Sequence, residues 1–357
     1  MNAKNEKKRI EYIDALRAFA LFGVILVHVN QMYSFYNEFN DFSYFTKIGN
    51  GCRQVVFWLF DDKSRTIFST LFGISFYLIF RNPSYTNRKF LWRCILLICF
   101  GLFDKLFSSG DILIWYGING IILSFFPVRK LKPSVLLIIS AILFLFSLVD
   151  LSPFLKVSFS NRYPADTTLA AIMAYPMSNI LISDLCGRLC IDSTMTLSCF
   201  FFGFYLGTSG IIDNISRYTS IRNCLFTTCL FAVSLLTFRL SNYHPVIWRF
   251  SVLIGSTSLS LDFIWFFKHL PHLLAPMTRY GRLGLTNYSS QYIIGTIMVL
   301  YISIPMKLSI EYVFLMGITL YLLQTVFAYL WTSRFKYGPL EWLWRIATNM
   351  KYEPLKI

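Results

Sequence analysis

The chain has 357 residues, of which 55% are hydrophobic, 18% are aromatic and only 14% are charged. Together with a mean hydropathy of +0.55, this composition excludes an ordinary soluble domain, which carries about 25% charged residues. The net charge of +15 does not indicate nucleic acid as a partner, because the basic residues lie in short loops between apolar segments. We therefore expect a multi-pass membrane protein that does not bind nucleic acid.

Ten apolar segments of spanning length follow one another, near residues 15–34, 64–80, 90–107, 111–127, 133–150, 193–212, 221–240, 245–267, 283–304 and 310–331. An even number of spans leaves both termini on one side, and that side holds about twice as many lysines and arginines as the other, so it is predicted to be cytoplasmic. The expected fold is an all-α transmembrane bundle over residues 15–331. Residues 1–14 form a cytoplasmic segment, residues 332–357 form a cytoplasmic amphipathic tail, and the larger outer segments are 36–62 and 151–192.

The first apolar segment, DALRAFALFGVILVHVNQ, contains Arg17 and His28 eleven residues apart. At about 100° per residue the two side chains return to nearly the same helix face, and at about 1.5 Å per residue they lie about 16 Å apart. Ionisable groups within a membrane usually face the bundle interior or a water-filled cavity. We interpret both residues as parts of a site. A histidine that only hydrogen-bonds a neighbouring helix is the alternative.

The second and third segments repeat this pattern of sparse intramembrane charge. Arg65 lies just inside the second segment, where an arginine that extends to the interface is the alternative interpretation. Arg93 and Asp104 are again eleven residues apart and therefore share one face of the third segment.

The fourth segment begins at Asp111, which is expected to cap its helix as well as to line a site. Tyr116 and Asn119 follow, about one helical turn apart. We assign these two side chains to substrate binding.

Two motifs near the C-terminus combine polar and aromatic residues, GRLGLTNYSSQYIIG and YGPLEWLWR. In the first, Arg282, Asn287 and Gln291 bring hydrogen-bonding groups into the start of a span, which indicates either close helix contact or a polar pocket for substrate. The cysteines show no metal-ligand spacing with histidine, and we expect no metal.

Five stretches, taken in order, resemble the YeiB-like family of bacterial inner-membrane proteins, which contain a domain of unknown function numbered 418. They are DALRAFALFGV, TLFGISF, FGLFDKLFSSGDILIWYGINGII, GRLGLTNYSSQ and YGPLEWLWR, and they extend over residues 12–345. That family is grouped with membrane acyltransferases, including acyltransferase family three and the heparan-glucosaminide acetyltransferases. The resemblance implies a multi-pass protein of the bacterial inner membrane.

The chain departs from the YeiB-like pattern at two positions. Asp104 replaces a histidine that is usual there, and His28 replaces a common asparagine. The second change completes a pattern in which ten residues separate an arginine from a histidine. This pattern resembles the essential first-span motif of acyltransferase family three. By this resemblance Arg17 and His28 match the motif's arginine and histidine, while the aspartate puts in doubt any mechanism that needs the missing histidine.

The residues and the resemblance favour an integral membrane acyltransferase, which moves an acetyl group from cytoplasmic acetyl-CoA to a hydroxyl or amine of an envelope or exported acceptor. His28 accepts a proton in this hypothesis, and Asp104 or Asp111 orients its ring. Four arginines are expected to hold the phosphates or the thioester carbonyl of acetyl-CoA: Arg17, Arg65, Arg93 and Arg282. The expected partners are the lipid bilayer and a small-molecule or glycan acceptor, and a homodimer is compatible with the sequence.

Two other classes of function remain open from the sequence. The same charges suit a transporter for a small polar or anionic molecule, although no inverted repeat is detectable. A non-catalytic immunity or sensor subunit is the third interpretation.

Overall fold

The computed structural model describes residues 10–39, 46–82, 85–107, 111–149, 183–303 and 305–356. Within these residues the regular structure is helical and contains no β-strand, apart from one isolated bridge between Phe335 and Lys356. The all-α fold class is therefore confirmed for the described part of the chain.

Each of the ten apolar segments contains a helix, and the described residues form four further helices between or after these segments. In chain order, the helices are α1 (Glu11–Phe39), α2 (Lys47–Leu59), α3 (Lys63–Phe80), α4 (Asn87–Asp104), α5 (Leu113–Phe125), α6 (Pro133–Ser147), α7 (Ser183–Thr208), the short α8 (Ile215–Tyr218), α9 (Ile221–Leu240), α10 (Pro245–His269), α11 (Pro271–Arg282), α12 (Gly284–Met298) with a π-helical extension (Val299–Ser303), α13 (Ile310–Thr332) and α14 (Pro339–Asn349).

Helix α1 lies at the centre of the bundle. It packs against α2, α3, α10, α11, α12 and α13. Its small residues Ala15, Ala18 and Ala20 are fully buried, and short side chains of this kind let neighbouring helices approach closely. The polar residue Asp14 on α1 is likewise buried, whereas Arg17 and His28 are half-buried.

Helices α3 and α7 form an especially close contact around Gly203. A Cβ atom at this position would lie 2.2 Å from the carbonyl oxygen of Thr70 and 2.8 Å from the amide nitrogen of Ile74. Both neighbours are backbone atoms, so a side chain here requires the two helices to separate. The GxxxG spacing of Gly203 and Gly207 therefore has a packing role.

Replacing Gly203 with leucine is expected to lower the midpoint of thermal unfolding in detergent, because overpacking a close contact costs about 1–3 kcal/mol or more. The matched control is Gly51→Leu on α2, where a Cβ would meet no atom within 4 Å. Circular dichroism of both purified variants measures the difference. Equal midpoints would show that the α3–α7 contact does not depend on the glycine.

Four helical segments are long and apolar enough to cross a membrane, among the residues that the structure describes: Glu11–Tyr33, Ile221–Leu240, Pro245–His269 and Ile310–Thr332. Helix α9 carries the clearest lipid-facing surface, since Leu225, Phe226, Val233 and Leu236 are each more than half exposed. Large exposed apolar surfaces mark contact with a membrane or a partner. These helices indicate a membrane protein, while ten crossings, the cytoplasmic termini and the bacterial inner membrane stay predictions.

The first predicted outer segment, residues 36–62, contains a separate helix. Helix α2 begins after Thr46, whose hydroxyl accepts a hydrogen bond from the amide of Gly49 at 2.9 Å, and it leads through residues 60–62 into α3. In the second predicted outer segment, residues 151–182 lie outside the described residues, and residues 183–192 form the start of α7. Residues 1–9 of the predicted N-terminal segment also lie outside the described residues.

Candidate functional site

A polar cavity of about 140 Å³ lies between α1, the α2–α3 turn, α3, the start of α5, and α7. Four residues that the sequence assigns to a site share its wall: His28, Arg65, Asp111 and Tyr116. The other lining residues are Val24, Val27, Gln31, Phe60, Asp61, Asp62, Ser64, Ile112, Trp115 and Thr196. The fold therefore brings an imidazole, a guanidinium, three carboxyl groups and a phenol to one small space.

The imidazole of His28 is held by two tyrosines of α12. Its Nε2 lies 3.0 Å from the hydroxyl of Tyr292, and the two ring centroids are 4.5 Å apart. The ring of Tyr288 lies close to both of these rings. Its centroid is 6.1 Å from that of His28 and 5.1 Å from that of Tyr292. The Nδ1 atom of His28 is buried and has no hydrogen-bond partner among the described residues. When Nε2 carries the proton and donates it to Tyr292, Nδ1 has the lone pair that a general base needs.

Asp111 precedes α5 and accepts two kinds of hydrogen bond. Its Oδ2 accepts from the amide of Ile114 at 3.2 Å, and its Oδ1 accepts from the hydroxyl of Tyr288 at 3.2 Å. Asp111 thus caps α5 and lines the cavity, as the sequence predicts. The two carboxylates proposed to orient His28 are not its hydrogen-bond partners in the structure, because Tyr292 bonds the ring and Tyr288 bonds Asp111.

Asp104 lies at the end of α4 and faces α12. Its Oδ2 accepts a hydrogen bond of 2.8 Å from the hydroxyl of Ser289, and its Oδ1 is buried without a partner among the described residues. Asp104 is fully buried but does not line the cavity. The predicted role of Asp104 as the group that orients His28 therefore has no direct contact to support it.

The four arginines predicted to form one cationic patch lie in separate surroundings. Arg65 lines the cavity and forms an ion pair of 2.8 Å with Asp62, whose second oxygen accepts from the indole of Trp248 at 3.0 Å. Arg17 contacts Asp14 at 2.6 Å and the hydroxyl of Ser75 at 2.8 Å, and it does not line the His28 cavity. Arg17 contacts Ser75 of α3 and His28 contacts Tyr292 of α12, so the two residues have different neighbours in the bundle.

The other two arginines lie near the C-terminal parts of the chain. The guanidinium of Arg93 stacks on the ring of Trp344, with its Cζ 3.7 Å from the ring centroid. Arg282 is exposed and lines a second pocket of about 320 Å³ with Glu11, Arg279 and several hydroxyl groups. The four arginines therefore have different neighbours, and their role in binding acetyl-CoA stays a prediction.

The remaining predicted binding residues make contacts between helices. Tyr116 lines the cavity, and its hydroxyl lies 2.8 Å from that of Ser69. Asn119 accepts a 2.8 Å hydrogen bond from Ser193.

The polar residues at the start of α12 belong to a network that joins α11, α12 and α13. Asn287 donates to the carbonyl of Tyr280 at 3.0 Å, and Gln291 donates to the Tyr280 hydroxyl at 2.7 Å. Gln324 of α13 accepts from the same hydroxyl at 2.8 Å. Of the two interpretations offered by the sequence for Asn287 and Gln291, these bonds fit close helix contact, and a role in substrate binding stays a prediction.

The sequence analysis missed Tyr288, Tyr292 and the pair Asp61–Asp62 as site residues. Tyr288 and Tyr292 are four residues apart and so share one face of α12. This spacing is the feature of the sequence that could have identified them. Burial raises the pKa of Asp61 to about 6, and the adjacent Asp62 carboxylate adds to the rise. The Asp61 carboxyl group lines the same cavity as the imidazole of His28.

Helical segments able to cross a membrane and a cavity lined by ionisable groups indicate a helical membrane protein with a polar cavity. Residues 207–351 match the sequence model of the family described as "Protein of unknown function (DUF418)", which confirms the family resemblance read from the motifs. No group of three or more His, Cys, Asp or Glu residues suited to a metal occurs among the described residues.

Two relatives match the chain over almost its whole length. The "Uncharacterized 39.9 kDa protein in amylase 3'region" of Bacillus acidopullulyticus is 26% identical, covering 98% of this chain and 96% of the relative. The "Uncharacterized protein YxaH" of Bacillus subtilis (strain 168) is 25% identical, with the same coverage of 98% and 96%. No solved structure matches the chain significantly.

Proposed function

We propose that the protein is an integral membrane acyltransferase that moves an acetyl group from acetyl-CoA to a hydroxyl or amine of an envelope or exported acceptor. The observation that carries the proposal is the imidazole of His28, which is fixed by Tyr292 on the wall of a polar cavity. A fixed imidazole with one free nitrogen is the arrangement expected of a general base.

The proposed reaction uses His28 twice. The acceptor X–H attacks the thioester carbonyl carbon, a bond forms between X and that carbon, and the proton of X–H moves to Nδ1 of His28. The C–S bond then breaks, and His28 returns the proton to the departing thiolate, so that free CoA leaves as a thiol. Arg65 and the hydroxyl of Tyr116, which line the same cavity, are suited to stabilise the oxyanion between the two steps.

The second pocket supports a binding site for the phosphate groups of the donor. Arg279 and Arg282 line it together with the hydroxyls of Thr278, Thr332 and Ser333. Guanidinium and hydroxyl donors are the groups that bind phosphate most readily in proteins. In the predicted topology this pocket opens toward the cytoplasm, where acetyl-CoA is made available.

The direct test uses purified protein in lipid nanodiscs, together with acetyl-CoA and an envelope extract of cells that carry the gene. We expect release of CoA thiol that depends on the extract, together with transfer of isotopically labelled acetyl groups to an extract component. Uptake of a solute by proteoliposomes without thiol release would instead assign the cavity to transport. Absence of both thiol release and labelled product would overturn the acyltransferase proposal.

The acceptor can be identified by comparing cells with and without the gene. Mass spectrometry of envelope glycans, lipids and secreted metabolites is expected to reveal one compound class that is lighter by an acetyl group in the deletion strain. Restoration by the wild-type gene, but not by a His28→Ala gene, assigns that difference to this site.

A further inference from the structure

A third cavity, about 620 Å³ in volume, shares α1, α3 and α7 with the polar cavity as wall elements. Its walls are formed by α1, α3, α6, α7 and α10, with the α7–α8 connection and α8 at one end. Most of the lining side chains are aliphatic or aromatic, such as Leu71, Ile74, Phe144, Phe202 and Leu253. Its volume falls within the range of about 300–1,000 Å³ that is typical of ligand sites.

The cavity is elongated along the helix axes. On α10 it extends from Leu253 to Ile264, and on α7 from Met195 to Leu206. Eleven residues of helix correspond to about 16 Å at about 1.5 Å per residue, which is close to half of a hydrocarbon core of about 30 Å. A space of this length, apolar along its walls, matches a hydrocarbon chain that enters one leaflet.

One end of the apolar cavity lies beside the polar cavity. Arg65 lines the polar cavity and the next residue of α3, Thr66, lines the apolar one. On α7, Thr196 lines the polar cavity and the preceding residue, Met195, lines the apolar one. An amphiphile that fills the apolar cavity with its chain would therefore have its polar head at the level of Arg65.

We propose that the apolar cavity holds one hydrocarbon chain of a membrane lipid, and that the hydroxyl- or amine-bearing headgroup of this lipid is the acyl acceptor. The carboxyl groups of Asp61 and Asp62 and the guanidinium of Arg65 provide charges of both signs for such a headgroup. Binding of the hydrocarbon chain depends only on the apolar cavity, whereas the assignment of the lipid headgroup as the acyl acceptor rests on the proposed function.

The test fills the apolar cavity from two opposite walls. Ser260→Phe on α10 and Ala141→Phe on α6 each add an aromatic ring to its lining, and the Ser260 hydroxyl bonds only its own helix, to the carbonyl of Ser256 at 2.7 Å. The control, Val233→Phe, adds the same ring to the exposed face of α9, where Val233 is 60% exposed. The probe is phosphatidylethanolamine with a photoreactive diazirine on one acyl chain, in nanodiscs of phosphatidylethanolamine and phosphatidylglycerol.

Crosslinked peptides are then identified by mass spectrometry. In the wild type and in Val233→Phe we expect labelling of peptides from α7 and α10 that line the cavity. Both filling variants are expected to reduce this labelling by about tenfold, which corresponds to about 1.4 kcal/mol of lost chain binding. Equal labelling of these peptides in all four proteins, or labelling confined to the exposed face of α9, would overturn the proposal.

A fifth protein, His28→Ala, separates the lipid proposal from the proposed function. It is expected to keep wild-type labelling of the cavity while losing acetyl transfer. Acetyl transfer that persists in both filling variants would show that the acceptor does not use the apolar cavity, although the enzyme assignment would stand. Cavity labelling without any acetyl transfer in the wild type would refute the proposed function and retain the lipid site.

Discussion

Replacement of His28 by alanine is expected to reduce acetyl transfer by about 100- to 10,000-fold, which is the usual contribution of general acid–base catalysis. The variant removes the only imidazole among the residues that line the polar cavity. It should still insert and fold, because the His28 side chain is only half-buried. The measurement is the rate of CoA thiol release per mole of purified protein, at matched thermal stability.

The controls for this variant distinguish a catalytic role from a structural one. His269→Ala changes an exposed histidine at the end of α10 and should leave the rate unchanged. Tyr292→Phe removes the hydroxyl that lies 3.0 Å from Nε2 of His28, so it should lower the turnover number more than it changes the Michaelis constant. A wild-type rate in His28→Ala would eliminate the assignment of the base.

The limits of the helices are the part of the fold that sequence predicts best. The segment predicted at 221–240 is helix α9, Ile221–Leu240, and the segment predicted at 64–80 is α3, Lys63–Phe80. The third segment is shifted, since it was expected at 90–107 and is observed at Asn87–Asp104. The shift has a local cause, because the hydroxyl of Thr86 accepts a hydrogen bond from the amide of Lys89 and starts the helix earlier.

Contacts between distant helices are the part that sequence does not provide. His28 was expected to face the interior because an ionisable group is costly in lipid, and it lines the cavity. Its partner Tyr292 lies 264 residues further along the chain, and no periodicity within α1 specifies which helix meets it. The contact of Arg17 with the hydroxyl of Ser75, 58 residues further along the chain, has the same explanation, whereas its ion pair with Asp14 lies within α1.

The two C-terminal motifs are joined by hydrogen bonds in the structure. Glu341 in YGPLEWLWR accepts hydrogen bonds from the amides of Leu285 and Thr286 at 2.6 and 3.0 Å, and from the Thr286 hydroxyl at 2.6 Å. These amides belong to the first turn of α12, where backbone donors have no partner within the helix. Glu341 therefore caps a helix from a different segment of the chain, and a carboxylate is favoured there by the helix dipole.

Further contacts fix the tail helix α14 against α4. The indole of Trp344 donates to the carbonyl of Arg93 at 3.1 Å, and the indole of Trp92 donates to the carbonyl of Ala347 at 2.8 Å. Burial raises the pKa of Glu341, while its hydrogen bonds from Thr286 and Leu285 act in the opposite direction. The tail is thus joined to the helix that carries Tyr288 and Tyr292, so its position affects the geometry around His28.

Replacement of Glu341 by alanine is expected to be the most destabilising change in the tail. It leaves buried donors of Leu285 and Thr286 without their acceptor, and each such loss costs about 1–3 kcal/mol. We expect a lower midpoint of thermal unfolding and faster proteolytic removal of residues after 338. Acetyl transfer should fall as well, because α12 loses the cap that holds it beside α1.

The matched control is Glu353→Ala, which removes a carboxylate from the same tail. Glu353 pairs with the exposed Arg345, and an ion pair near the surface contributes at most about 1 kcal/mol. Glu341→Gln keeps the shape of the side chain and one acceptor oxygen, but it replaces the other oxygen with an NH2 donor and removes the charge. Its midpoint of thermal unfolding should therefore lie between those of the two alanine variants. If Glu341→Ala and Glu353→Ala unfold at the same temperature, the tail does not stabilise α12, and the coupling between the C-terminal motif and the His28 cavity is refuted.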